Sequence, residues 1–315
     1  MNSKNINLKK QIKKNPFILA PMDNVTDIGF RQLCEKHHAS YTCSELTSVE
    51  ALIREKVPKY RYQRGNLKIN CVQLFGSNYK NFSKALDIID DQTDIIDVNF
   101  GCPSTTLHKN NSGAILLKDP QNVSKIIQNL VDHTNKPVTA KIRLGYNKTN
   151  YLEVAKQIED AGANLITLHA RTAKQRYSGK ANWDAIKKLY KTSNIPIVGN
   201  GDIKDENDID KYLNKYSDAL MLGRSAIGNP IIFKRFYNYY KTGQKLKIKD
   251  IKENQKKLFI QYLKEIENKQ FYKKDIKIAS QAMWFMKGIK GAKELRINIM
   301  QIKDSQKIIN QIHNF

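Results

Sequence analysis

The residues best equipped for chemistry are one thiol, two pairs of cations and two glycine-rich loops. Cys102 stands between a glycine and a proline in Asn99-Phe100-Gly101-Cys102-Pro103, directly after an apolar run. A thiol at such a turn can serve as a nucleophile or a proton donor, with a nearby cation tuning its pKa from about 8.5. Cys34, Cys43 and Cys71 fall on helical or strand patterns and read as buried, inert side chains. There is no Cys-x-x-Cys pair and no paired histidine spacing, so reduced thiols are expected, with neither a metal site nor a disulfide framework.

Lys141 and Arg143 are two residues apart at the end of one apolar run, and His169 and Arg171 repeat the arrangement at the end of the next. Alternation along a strand puts each pair on a single face, so both can converge on one mouth and offer it four potential cations. An anionic ligand accounts for both pairs. Gly199-Asn200-Gly201-Asp202 and Gly223-Arg224-Ser225-Ala226-Ile227-Gly228 follow the last two runs. Glycines there let backbone N–H groups approach an anion, which implies a phosphate-bearing cofactor. Ala20-Pro21-Met22, Gln73 and Asn99 also lie at run ends, the first suited to lie against a flat ligand.

These positions demand a scaffold that brings strand ends together. Eight short apolar runs, at 17–20, 40–43, 69–75, 95–98, 137–142, 165–169, 195–198 and 219–222, alternate with amphipathic segments such as 79–89, 123–131, 151–161 and 182–190. Gly162 is a helix stop. No Gly-x-Gly-x-x-Gly follows the first strand, so the count favours a closed (β/α)₈ TIM barrel over an open doubly wound sheet. Active sites of that fold sit at the C-terminal strand ends, which is where the residues above fall.

Residues 1–240 form the expected barrel, Lys241-Thr242-Gly243-Gln244 the joint, and residues 245–315 an all-helical C-terminal domain. That last part carries 17 Lys or Arg against seven acids, within a chain of 315 residues and net charge +24. Such an excess favours a polyanionic partner such as nucleic acid. Phe259, Tyr262, Phe271, Tyr272, Trp284 and Phe285 are interleaved with the lysines at helical spacing and read as core rather than as base-stacking platforms. The lysine-rich N-terminus lacks a secretory signal, and no apolar run nears the roughly 20 residues of a membrane span. A cytoplasmic monomer is expected, without membrane contact.

In this order the residues resemble the tRNA-dihydrouridine synthases, flavin enzymes that reduce particular uridines of tRNA. The resemblance is carried by Ala20-Pro21-Met22 with Val25-Thr26-Asp27, Gln73-Leu74-Phe75-Gly76, Asn99-Phe100-Gly101-Cys102-Pro103, Lys141-Ile142-Arg143-Leu144-Gly145, His169-Ala170-Arg171-Thr172 with Tyr177, and the two glycine loops. It implies FMN in the mouth, contacted by Pro21, Met22, Asp23, Gln73, Lys141, His169, Asn200, Gly201, Asp202, Gly223 and Arg224. It implies NADPH or NADH as reductant, hydride delivery to C6 of a uracil, and protonation of C5 by Cys102 acting as an acid. Asn99, Arg143 and Arg171 are the expected contacts to the uracil edge, and the basic helical domain the expected tRNA-binding part. Departures from the family pattern include Asp23-Asn24 after Pro-Met, Thr105 and Thr106, Asn182, Ser225 and Gln281. Competing expectations are an FMN barrel acting on a free pyrimidine, which does not call for a basic appendage, and a cofactor-free RNA-binding barrel.

Overall fold

Parallel strands covered on both faces are apolar on the side that meets the helices, and the observed strands obey this, with their polar residues, such as Gln73, Asp97 and Thr139, on the inner side. A computed structural model describes residues 6–247, 251–267, 278–302 and 305–315. Its strands are β1 (Phe17–Leu19), β2 (Thr42–Cys43), β3 (Thr47–Ser48), β4 (Asn70–Phe75), β5 (Ile95–Phe100), β6 (Val138–Arg143), β7 (Leu165–His169), β8 (Ile197–Asn200) and β9 (Ala219–Leu222). All pairings among them are parallel, and β1 pairs with β9 in the register Phe17↔Leu220, Ile18↔Met221, Leu19↔Leu222, closing the sheet. The closed barrel consists of β1, β2 and β4–β9, the eight-stranded (β/α)₈ architecture, while β3 is a two-residue spur on the end of β4.

Register decides which side chains fill the barrel. Along β5, Ile96, Val98 and Phe100 belong to the outer core beneath the helices, whereas Ile95 belongs to the inner cluster, so Asp97 and Asn99 point inward with it. The same parity turns Gln73, Thr139, Lys141, Arg143, Thr167, His169 and Asn200 inward. Apolar inner residues fill the lower barrel and polar ones gather at the C-terminal end.

Two elements differ from the sequence reading for identifiable reasons. The lysine-rich stretch near the N-terminus contains a helix, Leu8–Lys14, capped by Asn7, whose Oδ1 accepts from Lys10 N at 2.9 Å. Its Leu8 and Ile12, four apart on one face, join the inner cluster and cover the barrel's N-terminal end. Strand β5 runs to Phe100 rather than stopping at 98, so Asn99 is a strand residue and Cys102 follows two residues past its end. Smaller offsets follow local chemistry. Asp119 caps a helix begun by Pro120, earlier than the expected 123, and Gly162 at φ +90° follows the helix Tyr151–Asp160.

The helix Ile231–Thr242 ends at Gly243 in the left-handed region (φ +69°). Beyond it lie the helices Ile251–Glu267, Ile278–Phe285, Ala292–Gln301 and Ser305–Asn314. Phe259, Tyr262 and Phe285 are buried with ring centroids 5.6–6.0 Å apart, and Phe285 reaches Phe30 of the barrel at 6.2 Å. These aromatics form core, and Phe271 and Tyr272 lie outside the described residues. Contact with the barrel is close. Asp27, the cap of the helix Ile28–Lys36, accepts from Tyr262 Oη (3.1 Å) and Gln281 Nε2 (2.7 Å), and a Cβ on Gly228 would overlap the Trp284 carbonyl. Among the described residues, no helix is long and apolar enough to cross a membrane.

Candidate active site

Cys102 is held from three sides. Asn99 Oδ1 accepts from the backbone N–H of Gly101 (3.2 Å) and of Cys102 (2.9 Å), while the Cys102 carbonyl accepts from Ala114 N (3.1 Å) and His108 Nε2 (3.1 Å). Tyr146 Oη lies 3.4 Å from His108 Nδ1, a pair that sequence spacing does not disclose. Gly113, at φ +71°, packs so closely on Cys102 O that a side chain there would press against it. Burial pushes the half-buried thiol above its ordinary value, and the Ser104 amide, Arg143 and Lys141 offset only part of that shift. The group is therefore a thiol that holds its proton at neutral pH, suited to donate it.

The expected cations divide by partner. Lys141 Nζ donates to Asn200 Oδ1 at 3.3 Å, and burial, reinforced by the Arg143 charge, lowers its pKa to about 8. Arg143 donates to the carbonyls of Gly101 (2.7 Å), Thr172 (3.0 Å) and Arg176 (2.8 Å), which ties three segments around the mouth. Arg171 donates to Ser178 O (3.1 Å), Gly179 O (2.5 Å) and Asp202 Oδ2 (2.7 Å), and its Nη1 is buried without a partner among the described residues. His169 is not a cation. Burial, with Lys141, Arg143, Arg171 and Arg224 nearby, holds its pKa well below the ordinary 6.5.

The two glycine loops flank these groups. Gly201 takes φ +126° and Asp202 φ +56°, a tight reversal at the end of β8. The Asp202 carboxylate receives Arg171 on one oxygen, Arg224 on the other (2.9 Å), and the Ala181 amide (2.8 Å). Burial raises its pKa, but the Arg171 hydrogen bond, the amide and both guanidinium charges outweigh it and hold the carboxyl below its usual range. Tyr177, 57% exposed, sits over the mouth with its ring 5.0 Å from the Arg224 guanidinium and 5.7 Å from that of Arg143.

One cleft of about 800 Å³ at the C-terminal end of the barrel gathers Pro21, Met22, Asp23, Asn99, Cys102, Lys141, Arg143, His169, Arg171, Asn200, Gly201, Asp202, Gly223 and Arg224. Gln73 is the exception. It is fully buried one layer below, donating to Asp97 and accepting from Asn99, and does not line the cleft. An anionic group fits this lining. Among the described residues, Gly223 has only Ala20 and Met22 within 4 Å of where a Cβ would be and the buried Arg171 Nη1 has no partner, while Lys141 and Arg224 add positive charge. Among the described residues no cluster of His, Cys, Asp or Glu could hold a metal ion.

The comparisons with known proteins agree with one another. A family model described as dihydrouridine synthase (Dus) matches residues 18–314. The chain is 33% identical over 311 residues to a probable tRNA-dihydrouridine synthase of Aquifex aeolicus, covering 95% of this chain and 96% of that one. It is 36% identical over 237 residues to tRNA-dihydrouridine synthase B of Vibrio vulnificus, covering 73% of each. A probable tRNA-dihydrouridine synthase of Rickettsia bellii is 33% identical over 293 residues, covering 90% of each.

Proposed function

Because the chain belongs to the dihydrouridine synthase family, we propose that it reduces the C5=C6 bond of a uridine in tRNA, with FMN as cofactor and NADPH or NADH as reductant. One observation carries this reading: the Cys102 thiol, Lys141, Arg143, Arg171 and residues of both glycine loops singled out in the sequence line a single cleft.

FMN would lie against Pro21, Met22 and Asp23, with Lys141, His169 and Asn200 toward its ring and Gly201, Gly223 and Arg224 toward its phosphate. When bound and reduced, it supplies the hydride for C6. Cys102 Sγ holds the proton for C5, so hydride and proton together complete the addition across the double bond. Arg143 braces the backbone that carries Cys102 through its bond to Gly101 O. Asp202 orients the Arg171 and Arg224 guanidinium groups, and Gln73 acts on the site through Asn99. Arg171, Asn99 and Arg143 together line the part of the cleft proposed for the uracil edge.

A uridine stacked in folded RNA reaches such a cleft only when turned out, at a cost of a few kcal/mol that contacts elsewhere must offset. The basic C-terminal part, residues 245–315, is the proposed source, through phosphate contacts. Two measurements test the whole reading. Purified protein with FMN and NADPH forms dihydrouridine in undermodified tRNA and oxidises NADPH faster with that tRNA than with free uracil. A preparation that stays colourless after FMN is added, or that prefers the free base, overturns it.

A further inference from the structure

A line of directional hydrogen bonds runs from the barrel interior to the backbone of Cys102. At its upper end Asn99 Oδ1 faces two backbone N–H donors, from Gly101 and Cys102. Backbone amides only donate there, so the atom between them must be oxygen, and Asn99 Nδ2 is turned the other way. It donates to Gln73 Oε1 at 2.8 Å, which turns Gln73 Nε2 toward Asp97 Oδ2 at 2.6 Å. The second Asp97 oxygen accepts from Thr139 Oγ1 at 2.6 Å. All four side chains are buried. Gln73 and Asp97 are also cross-strand partners in the register of β4 and β5, so the contact is built into the sheet.

A side-chain amide has nearly the same shape in either orientation. What fixes it in a buried site is the cost of setting donor against donor or acceptor against acceptor. In this line both ends are fixed in kind: N–H groups that only donate above, and a carboxylate that accepts below. We propose that Asp97 is a positioning residue, its carboxylate holding Gln73 from below in the direction that the backbone N–H groups set through Asn99 from above, and thereby securing the placement of the Cys102 backbone. This rests on the reading of Cys102 as the proton donor. With an amide at position 97 the backbone N–H groups still direct Asn99 and, through it, Gln73 Oε1, but Gln73 Nε2 would face a nitrogen as readily as an oxygen, and the line that ends at Cys102 would lose the fixed acceptor that closes it from below.

The test uses FMN-loaded protein carrying Asp97→Asn, Gln73→Glu, or both changes. In the double variant the new amide at 97 donates to the new carboxylate at 73, which again accepts from Asn99, with net charge unchanged. Two readouts are taken: turnover on undermodified tRNA, and the rate at which iodoacetamide alkylates Cys102, the other three cysteines being buried. Each single variant should lower kcat about tenfold with KM for tRNA nearly unchanged, and should alter the alkylation rate. The double variant should recover both toward wild type. A double variant no better than the worse single, or an Asp97→Asn protein with unaltered kcat and alkylation, overturns the proposal. If a single variant fails to fold, the double decides alone, supporting the proposal when alkylation matches wild type and overturning it when it does not. Alkylation reads geometry without turnover, so a Cys102→Ala protein that stays active would remove the proton-donor reading while leaving the positioning result intact.

Discussion

Arg171 donates to Asp202 Oδ2 at 2.7 Å, and the two are unequally sheltered, the arginine side chain buried and the carboxylate partly exposed. Removing the carboxylate leaves a buried guanidinium whose partners among the described residues are the two carbonyls Ser178 O and Gly179 O. Asp202→Ala should cost about 2–3 kcal/mol of stability, read as a lower urea midpoint, and should weaken FMN retention because Arg224 loses its anchor as well. An unchanged midpoint would show that the pair carries no weight.

Cys102→Ala should retain FMN and bind tRNA with ordinary affinity while losing about 100-fold or more in uridine reduction. Flavin absorbance, a filter-binding Kd and dihydrouridine yield separate the three quantities. Full turnover would exclude the thiol as the acid.

Stability should carry a component that falls as pH rises from about 4 to 7. Burial raises Asp27 from 3.8 to about 6 and Glu45 from 4.5 to about 7. Within those windows the folded chain holds more protons than the unfolded one, so unfolding free energy declines as each carboxyl is forced to ionise, then levels off above the folded pKa. Asp27→Asn should flatten the part below about pH 6. An identical slope in wild type and variant would contradict the assignment.

Gly228 and Gly243 share a left-handed backbone, at φ +64° and +69°, but not an environment. Among the described residues nothing lies within 4 Å of a Cβ on Gly243, whereas one on Gly228 would meet the backbone of Trp284 and Phe285. Gly243→Ala should cost about 1 kcal/mol from backbone strain alone, and Gly228→Ala clearly more, because the C-terminal helices must move away. Equal costs in chemical denaturation would mean that this close contact is not held tightly.

Binding of tRNA should weaken steeply with added salt, since phosphate contacts release condensed counterions. The slope of log Kd against log salt measures it, and charge-reversing Lys287 should reduce that slope. A salt-insensitive Kd would exclude the basic helices as the main contact.

Strand ends were legible because the barrel needs near-continuous apolar runs, and polar residues at their ends stand out. Lys141, Arg143, His169 and Asn200 were found that way, and parity along β6, β7 and β8 explains why they converge. Partners were not legible. Gln73 looked like a cleft residue until cross-strand register set it opposite Asp97, and Asp97 itself was hidden inside an apolar run. The charge state of His169 depends on its burial and on cations that include Lys141 and Arg143 of β6 and Arg224 beyond β9, and the His108–Tyr146 contact joins residues that spacing does not relate. The N-terminal helix was missed because lysines dominate its composition, although Leu8 and Ile12 mark its buried face.

The seam between β1 and β9 sets when the cleft can exist at all. Ala20 N donates to Leu222 O at 2.8 Å, and the wall of Pro21 and Met22 meets Gly223 and Arg224 only across that seam. These halves are about 200 residues apart in the chain, so their meeting is a long-range event of the kind that slows folding. During synthesis the N-terminal wall must wait, without a binding partner, until the last strand has emerged. A chain truncated before β9 should acquire no FMN however much of the remaining barrel it contains.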